Sequence, residues 1–258
     1  MPSAAGLYYF AHGADDLTRP PVILIHGAGG HHLYWPPQVR RLHGQRILAV
    51  DLPGHGKSEG LGHHSIDDYA AEVAEFVKAL RLNRVIVVGH SMGGAVALKL
   101  ALKFPKRVIG LGVVGSAARL RVNPALLRAA ADPSKAAEAF RMVNDLSFAP
   151  ATPVRLKELA GQRMADTRAS ILYGDLLACD EFDSTAQAGK IAVPTLIICG
   201  AADKMISLGA AEALQQQING ARLEVIQDAG HMVMLEKPDR VAELLDEFID
   251  SISYRPGR

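Results

Sequence analysis

Apolar residues along the chain fall into two alternating kinds of run. Short blocks rich in β-branched residues, Leu7–Ala11, Val22–His26, Ile47–Val50, Val85–Gly89, Val108–Val114, Thr195–Cys199 and Leu223–Ile226, are bounded by turn-forming residues, and most predict strands buried on both faces. Between them, apolar positions recur with helical spacing over Ile66–Leu80, Met92–Lys103, Leu208–Ile218 and Asp239–Ser251. Ser65 followed by Asp68 has the spacing of a capping box; Pro105 stops the second helix and Pro238 opens the last. Strand and helix alternating in this way predict an α/β fold, a mostly parallel sheet with helices on both faces.

The alternation stops between Ala117 and Gly189. Ala-, Leu- and Arg-rich helical windows there are punctuated by Pro124, Pro133, Pro150 and Pro153, with no strand pattern. Because strands resume afterwards, residues 117–189 are expected to form a helical cap inserted over the carboxyl edge of one sheet, with 1–116 and 190–258 as its core.

A formal net charge of +1 removes any general field for nucleic acid or anionic lipid, so no nucleic-acid partner is expected. Two cysteines, Cys179 and Cys199, are too few for a disulfide framework and favour a reducing compartment. Met1 to Gly13 has no basic, then apolar, leader pattern, and no apolar run is long enough to span a bilayer. A cytoplasmic protein is expected, a monomer or homodimer.

The pattern G-x-S-x-G occurs at Gly56–Gly60 and at Gly89–Gly93. A nucleophilic serine needs a sharp turn between strand and helix, with small neighbours. Ser91 has that setting, since Val85–Val88 runs into it and a helical pattern starts at Met92. Ser58 lies in a glycine-rich loop without a strand leading in, and reads as a turn residue. A base and an orienting carboxylate should follow in the chain order Ser, acid, His. His231, after the last strand, is the candidate base, and Asp203, after the strand before it, the candidate acid; Asp228, Asp180 and Asp183 are rivals. Two backbone amides should meet the developing oxyanion. Met92 offers one, and Ala28, in the glycine-rich loop His26–Gly30, the other.

His26-Gly27, Asp51-Leu52-Pro53-Gly54-His55-Gly56-Lys57-Ser58, the elbow Gly89–Gly94, Gly200–Asp203, and Gly230-His231 with Glu236-Lys237-Pro238 together resemble the α/β-hydrolase superfamily, within it the capped serine esterases. Relatives often carry proline where Ser207 stands. The resemblance implies a Ser91–His231–Asp203 triad, an Ala28/Met92 oxyanion hole, no cofactor or metal, and a small-molecule ester substrate. It makes Asp51–Ser58 a structural turn. A serine at the elbow argues against the dehalogenase and epoxide-hydrolase branches, which use aspartate there. C–C bond hydrolysis, lactone or thioester cleavage, and a ligand receptor with little turnover share these motifs and stay open.

The remaining signals are weaker. Asp51 stands where a P-loop needs glycine and His32 where a dinucleotide fingerprint does, so both readings fail. His31, His32, His63 and His64 match no zinc spacing and are expected to be solvated loop residues. Tyr34 and Trp35 are candidates for pocket or packing, and Met142, Met164, Met205 and Met232 for an apolar acyl site or core.

Overall fold

The computed structural model describes residues 2–13 and 19–254; Met1, 14–18 and 255–258, which the expected core segments include, lie outside the described residues. Eight strands form one sheet: β1 Ser3–Ala4, β2 Leu7–His12, β3 Val22–Ile25, β4 Ile47–Val50, β5 Val85–His90, β6 Val108–Val114, β7 Thr195–Gly200 and β8 Arg222–Ile226. Their order is β1-β2-β4-β3-β5-β6-β7-β8, parallel from β4 to β8, with β1 and β2 antiparallel at one edge. The helices are α1 Pro37–Arg40, α2 Ile66–Ala79, α3 Met92–Lys103, α4 Pro124–Ala131, α5 Ala136–Ser147, α6 Val154–Met164, α7 Ala169–Glu181, α8 Leu208–Gln217, α9 Val233–Glu236 and α10 Pro238–Ser251.

The two-residue period of a strand divides the sheet's side chains between two apolar layers. Ile23, Ile25, Val85 and Val87 join α2, α3 and α8 on one face. Val22, Leu24, Ile86 and Val88 join α1 and α10 on the other. Both faces being covered explains why these strands read as unbroken apolar runs. The sequence-predicted elements match the observed ones to within one residue at each end, except that β1, α1 and α9 carry no legible pattern. Ser65 caps α2 by accepting the Asp67 N–H at 3.1 Å. Among the described residues Asp68 returns no bond, so the capping box is half formed; the neighbouring Asp67 instead pairs with Lys99 and Lys103 of α3 at 3.1 and 2.6 Å.

Between β6 and β7 lie α4 to α7, and none of the eight strands falls there. The strand order reverses at β3, with β4 on one side and β5 on the other. Such a reversal opens a crevice at the carboxyl ends of the strands. Gly93, in the first turn of α3, lets that helix lie against the end of β3: a Cβ there would collide with the Ile25 and His26 carbonyls. Backbone cannot yield as a flexible side chain does. Gly93→Ala should therefore lower stability by about 1–3 kcal/mol, the usual cost of overpacking, as read by urea unfolding; an unchanged midpoint would show that α3 has room to move.

Candidate active site

Ser91 joins β5 to α3 with φ 52° and ψ −119°, a left-handed conformation that an L-residue adopts at a cost of roughly 1–3 kcal/mol. The turn is closed by its neighbours: Ser91 N–H donates to the Val114 carbonyl at 2.9 Å, and its own carbonyl accepts Gly94 N–H at 2.8 Å. A side chain at Gly89 would run into the Gly93 carbonyl, so this hairpin-tight passage requires glycine.

Ala28 and Met92 are brought together by register. Ile25 of β3 pairs with Gly89 of β5, and each of the two amides lies three residues beyond its member of that pair. Among the described residues, neither amide has a hydrogen-bond partner within the chain. Met92 N–H also stands at the positive end of α3, where negative charge is favoured.

His231 and Asp203 come from the loops after β8 and β7. His231 Nδ1 lies 2.9 Å from Asp203 Oδ2, and both side chains are buried. Asp203 Oδ1 accepts the Met205 and Ile206 N–H groups at 2.8 and 2.9 Å. Burial alone would raise the Asp203 carboxyl; the facing His231 imidazole and the two amides outweigh it and hold the group below the ordinary carboxylate range. In the neutral ring, Nδ1–H donating to Asp203 leaves the lone pair on the other nitrogen. The rival carboxylates are engaged elsewhere: Asp180 accepts Val122 N–H, Asp183 pairs with Arg119, and Asp228 is exposed.

Ser91, Ala28 and His231 meet where two lobes of one cleft join. The outer lobe, about 700 Å³ with its mouth, is walled by Leu120, Val122, Leu126 and Ile206. The inner lobe, about 380 Å³, is walled by Tyr34, Val143, Met164 and Met232. Met205 borders both lobes. Trp35 is fully buried and packs in the core, and Met142 lines neither lobe. The helices α4 to α7 supply much of both walls.

Three features near the site had no signal strong enough to be read in advance. His90 Nε2–H donates to the His231 carbonyl at 2.9 Å, which ties the base's loop to the elbow. Glu236 accepts Gly230 N–H at 2.7 Å through one oxygen and Ala149 N–H at 2.9 Å, together with the Thr152 hydroxyl, through the other. It thus joins the His231 loop to the turn between α5 and α6. Asp175, a single acid inside the apolar stretch Ile171–Cys179, is wholly buried; that isolation is the one cue the sequence offered.

The loop histidines need correction. His32 is buried, not solvated, because Asp51 beneath the loop accepts both its N–H at 2.6 Å and its Nδ1–H at 2.8 Å. Ligand atoms of His31, His32 and Asp51 lie within 4.8 Å of one another, the spacing a metal could use. Both Asp51 oxygens already accept protein donors, including Lys57 N–H at 2.9 Å, and His31 Nδ1 accepts Leu33 N–H, so the carboxylate and that ring nitrogen are engaged within the loop. Ser58 is the turn residue expected: its hydroxyl donates to the Asp51 carbonyl at 2.6 Å and accepts Tyr8 N–H at 2.8 Å.

The profile of the alpha/beta hydrolase family matches residues 22–244. The chain belongs to the alpha/beta hydrolase family. Among relatives of this hydrolase, the 3-oxoadipate enol-lactonase 1 of Acinetobacter baylyi is 29% identical over 241 residues, covering 91% of this chain and 90% of that one. The solved esterase EaEST from Exiguobacterium antarcticum is 25% identical with a TM-score of 0.85, covering 95% of both chains. A solved thermophilic esterase is 34% identical with a TM-score of 0.80, covering 95% of this hydrolase and 98% of its own chain. No helix among the described residues is long and apolar enough to cross a membrane.

Burial, then the neighbouring His231, pushes His90 from the ordinary 6.5 down to about 3. A depressed histidine stabilises the fold above its unfolded pKa and loses that contribution as pH falls towards the folded value. Stability should therefore fall on acidification below about pH 6.5, and His90→Gln should flatten the slope by up to about 1.4 kcal/mol per pH unit. Urea unfolding between pH 7 and 4 checks this; parallel curves for both proteins would refute it.

Proposed function

We propose that this alpha/beta hydrolase is a serine hydrolase that cleaves small or medium carboxylic esters through an acyl-enzyme. The observation that carries the reading is the strained Ser91 turn at the junction of two lobes, beside a His231–Asp203 pair at 2.9 Å. Ser91 Oγ attacks the ester carbonyl carbon while its proton passes to His231. The carbonyl oxygen becomes an oxyanion that accepts from the Ala28 and Met92 amides, donors already aimed and needing no reorganisation. Collapse breaks the bond to the alcohol, which leaves with the proton from His231. Water then gives a proton to His231 and attacks the acyl carbon, and collapse frees the acid and restores Ser91. Asp203 holds the imidazole tautomer and stabilises the imidazolium formed twice per cycle. Helices α4 to α7 act as a cap that excludes water and bounds the two lobes, one for the acyl group and one for the alcohol.

A lactone is an ester whose alcohol stays tethered after cleavage, so the same groups open it. The relative named an enol-lactonase, matched over nine-tenths of both chains, favours this as the second reading. Among the described residues, the outer lobe's lining includes Arg121 and Lys204 but no Asp or Glu. That supports substrates bearing a carboxylate away from the scissile bond.

Hydrolysis of p-nitrophenyl esters of increasing acyl length, beside a simple lactone, tests the function. Sustained turnover should vanish in Ser91→Ala and fall about 10⁴-fold in kcat in Asp203→Asn; turnover retained by Ser91→Ala, or a single cycle per site, would overturn the reading. For the charge preference, a half-ester of a dicarboxylic acid should show a lower KM than its neutral methyl diester. Exposed charge pairs contribute about 0.2–1 kcal/mol, so Arg121→Ala or Lys204→Ala should raise KM for the half-ester alone, by up to about fivefold. Equal effects on both esters would remove the charge preference and leave the ester reading standing.

A further inference from the structure

The helical segment between β6 and β7 grips the loop that carries Ala28 by both peptide groups of a single residue. Gly29 sits at φ 62°, where glycine alone moves freely and nothing intrinsic holds the backbone in place. Its N–H donates to Asp175 Oδ2 at 2.8 Å, and its carbonyl accepts the Thr167 hydroxyl at 2.9 Å. Gly30 N–H closes the turn onto the Gly27 carbonyl at 3.1 Å. Peptide units are planar, so the Thr167 bond to the Gly29 carbonyl also fixes the Gly30 N–H in the same plane; that N–H holds the Gly27 carbonyl, which His26 Nδ1 also faces at 2.8 Å, and the Gly27 carbonyl shares its plane with the Ala28 N–H.

Asp175 is itself firmly held. Three donors converge on its carboxylate: Gly29 N–H, His55 Nε2–H at 2.8 Å and the Tyr69 hydroxyl at 2.5 Å. Tyr69 Oη already accepts His63 N–H at 3.0 Å, which directs its own proton at Asp175. His55 Nδ1 faces the Pro53 carbonyl at 3.0 Å, so both of its ring nitrogens face acceptors and the ring keeps both protons. Burial works against that charge, but Asp175 overcomes it and holds the His55 pKa above its ordinary value. Truncating one member of such a pair leaves the other charge buried and alone.

We infer that Asp175 and Thr167 are positioning residues for the oxyanion site: the docked helical segment sets the direction of the Ala28 N–H through Gly29. The inference rests on the ester-hydrolase reading and on Ala28 as an oxyanion donor. The segment then does more than wall the cleft, because seating α7 completes the bonding that aims one of the two donors.

Asp175→Asn, Thr167→Val and Thr167→Ser test this, measured as kcat and KM on a p-nitrophenyl ester and as Ki for a trifluoromethyl ketone. The ketone adds Ser91 Oγ to its carbonyl carbon, and the resulting oxyanion lies between the same two amides. Loss of one oxyanion donor costs about 10²–10³ in turnover. Asp175→Asn should therefore lower kcat by about a hundredfold and Thr167→Val by about tenfold, with KM within about twofold and the ketone Ki rising by matching factors. Thr167→Ser, which keeps the hydroxyl, should behave as the native chain. Unchanged kcat and Ki in Asp175→Asn and Thr167→Val, a loss confined to KM, or an equal loss in Thr167→Ser would overturn the inference. If Asp175→Asn fails to fold, the Thr167 pair decides. A native chain that neither turns over esters nor binds the ketone would overturn the ester reading itself, a result separate from these.

Discussion

Ser91 can hold its left-handed backbone only because strand β5 and helix α3 are both clamped in place around it, and the rest of the structure is arranged to keep that clamp shut. The sheet fixes β5 through parallel pairing with β3 and β6, buried on both faces. The helix is fixed by close approach of its first turn to the end of β3, through a glycine with no room for another atom. The same approach brings the loop after β3 alongside the elbow, so the strained turn and the pair of unengaged amides are consequences of one packing decision. Strain of about 1–3 kcal/mol is a noticeable fraction of a typical domain's 5–15 kcal/mol stability, which is why it needs so many apolar contacts around it.

Three buried histidines in this region carry different charges for reasons that their partners supply. His26 donates from Nδ1 to the Gly27 carbonyl and accepts Leu52 N–H at Nε2, so it is neutral, and burial followed by the nearby His55 keeps its pKa well below the ordinary value. His90 has a single carbonyl acceptor and is neutral too. His55, with an acceptor at each nitrogen, is charged. The linkage signs differ accordingly. His26 and His90 favour the fold above pH 6.5 and lose that contribution on acidification, whereas the raised His55 favours it below its unfolded value and loses its contribution as pH rises through the folded one.

Much of the fold was legible because buried parallel strands and amphipathic helices leave opposite periodicities, and Val108–Val114 and Met92–Lys103 came out to the residue. The candidate site positions were legible where the proposed chemistry demands a local setting: an elbow serine between strand and helix, glycines in the loop after β3, a histidine after the last strand. What stayed hidden depends on contacts far apart in sequence. His32 looked like a solvated loop residue because its partner Asp51 sits 19 residues away, and Asp175 meets Gly29 across 146. The half-formed capping box at Ser65 shows the same limit, since α3 lysines decide which acid in that turn is used.

Two carboxylates of opposite ownership help to fasten the helical segment to the sheet. Asp175 belongs to the segment and reaches into the loops after β3 and β4, whereas Glu236 belongs to the sheet side and reaches up to Ala149 and Thr152. One chimera would exchange residues 117–189 for the corresponding helices of a relative. Such a graft would carry one anchor with it and would have to meet the other with a free amide and a hydroxyl at the α5–α6 turn. Chimeras that ignore this asymmetry would leave the Glu236 carboxylate without its partners at that end, and their defect would be mistaken for a poor pocket.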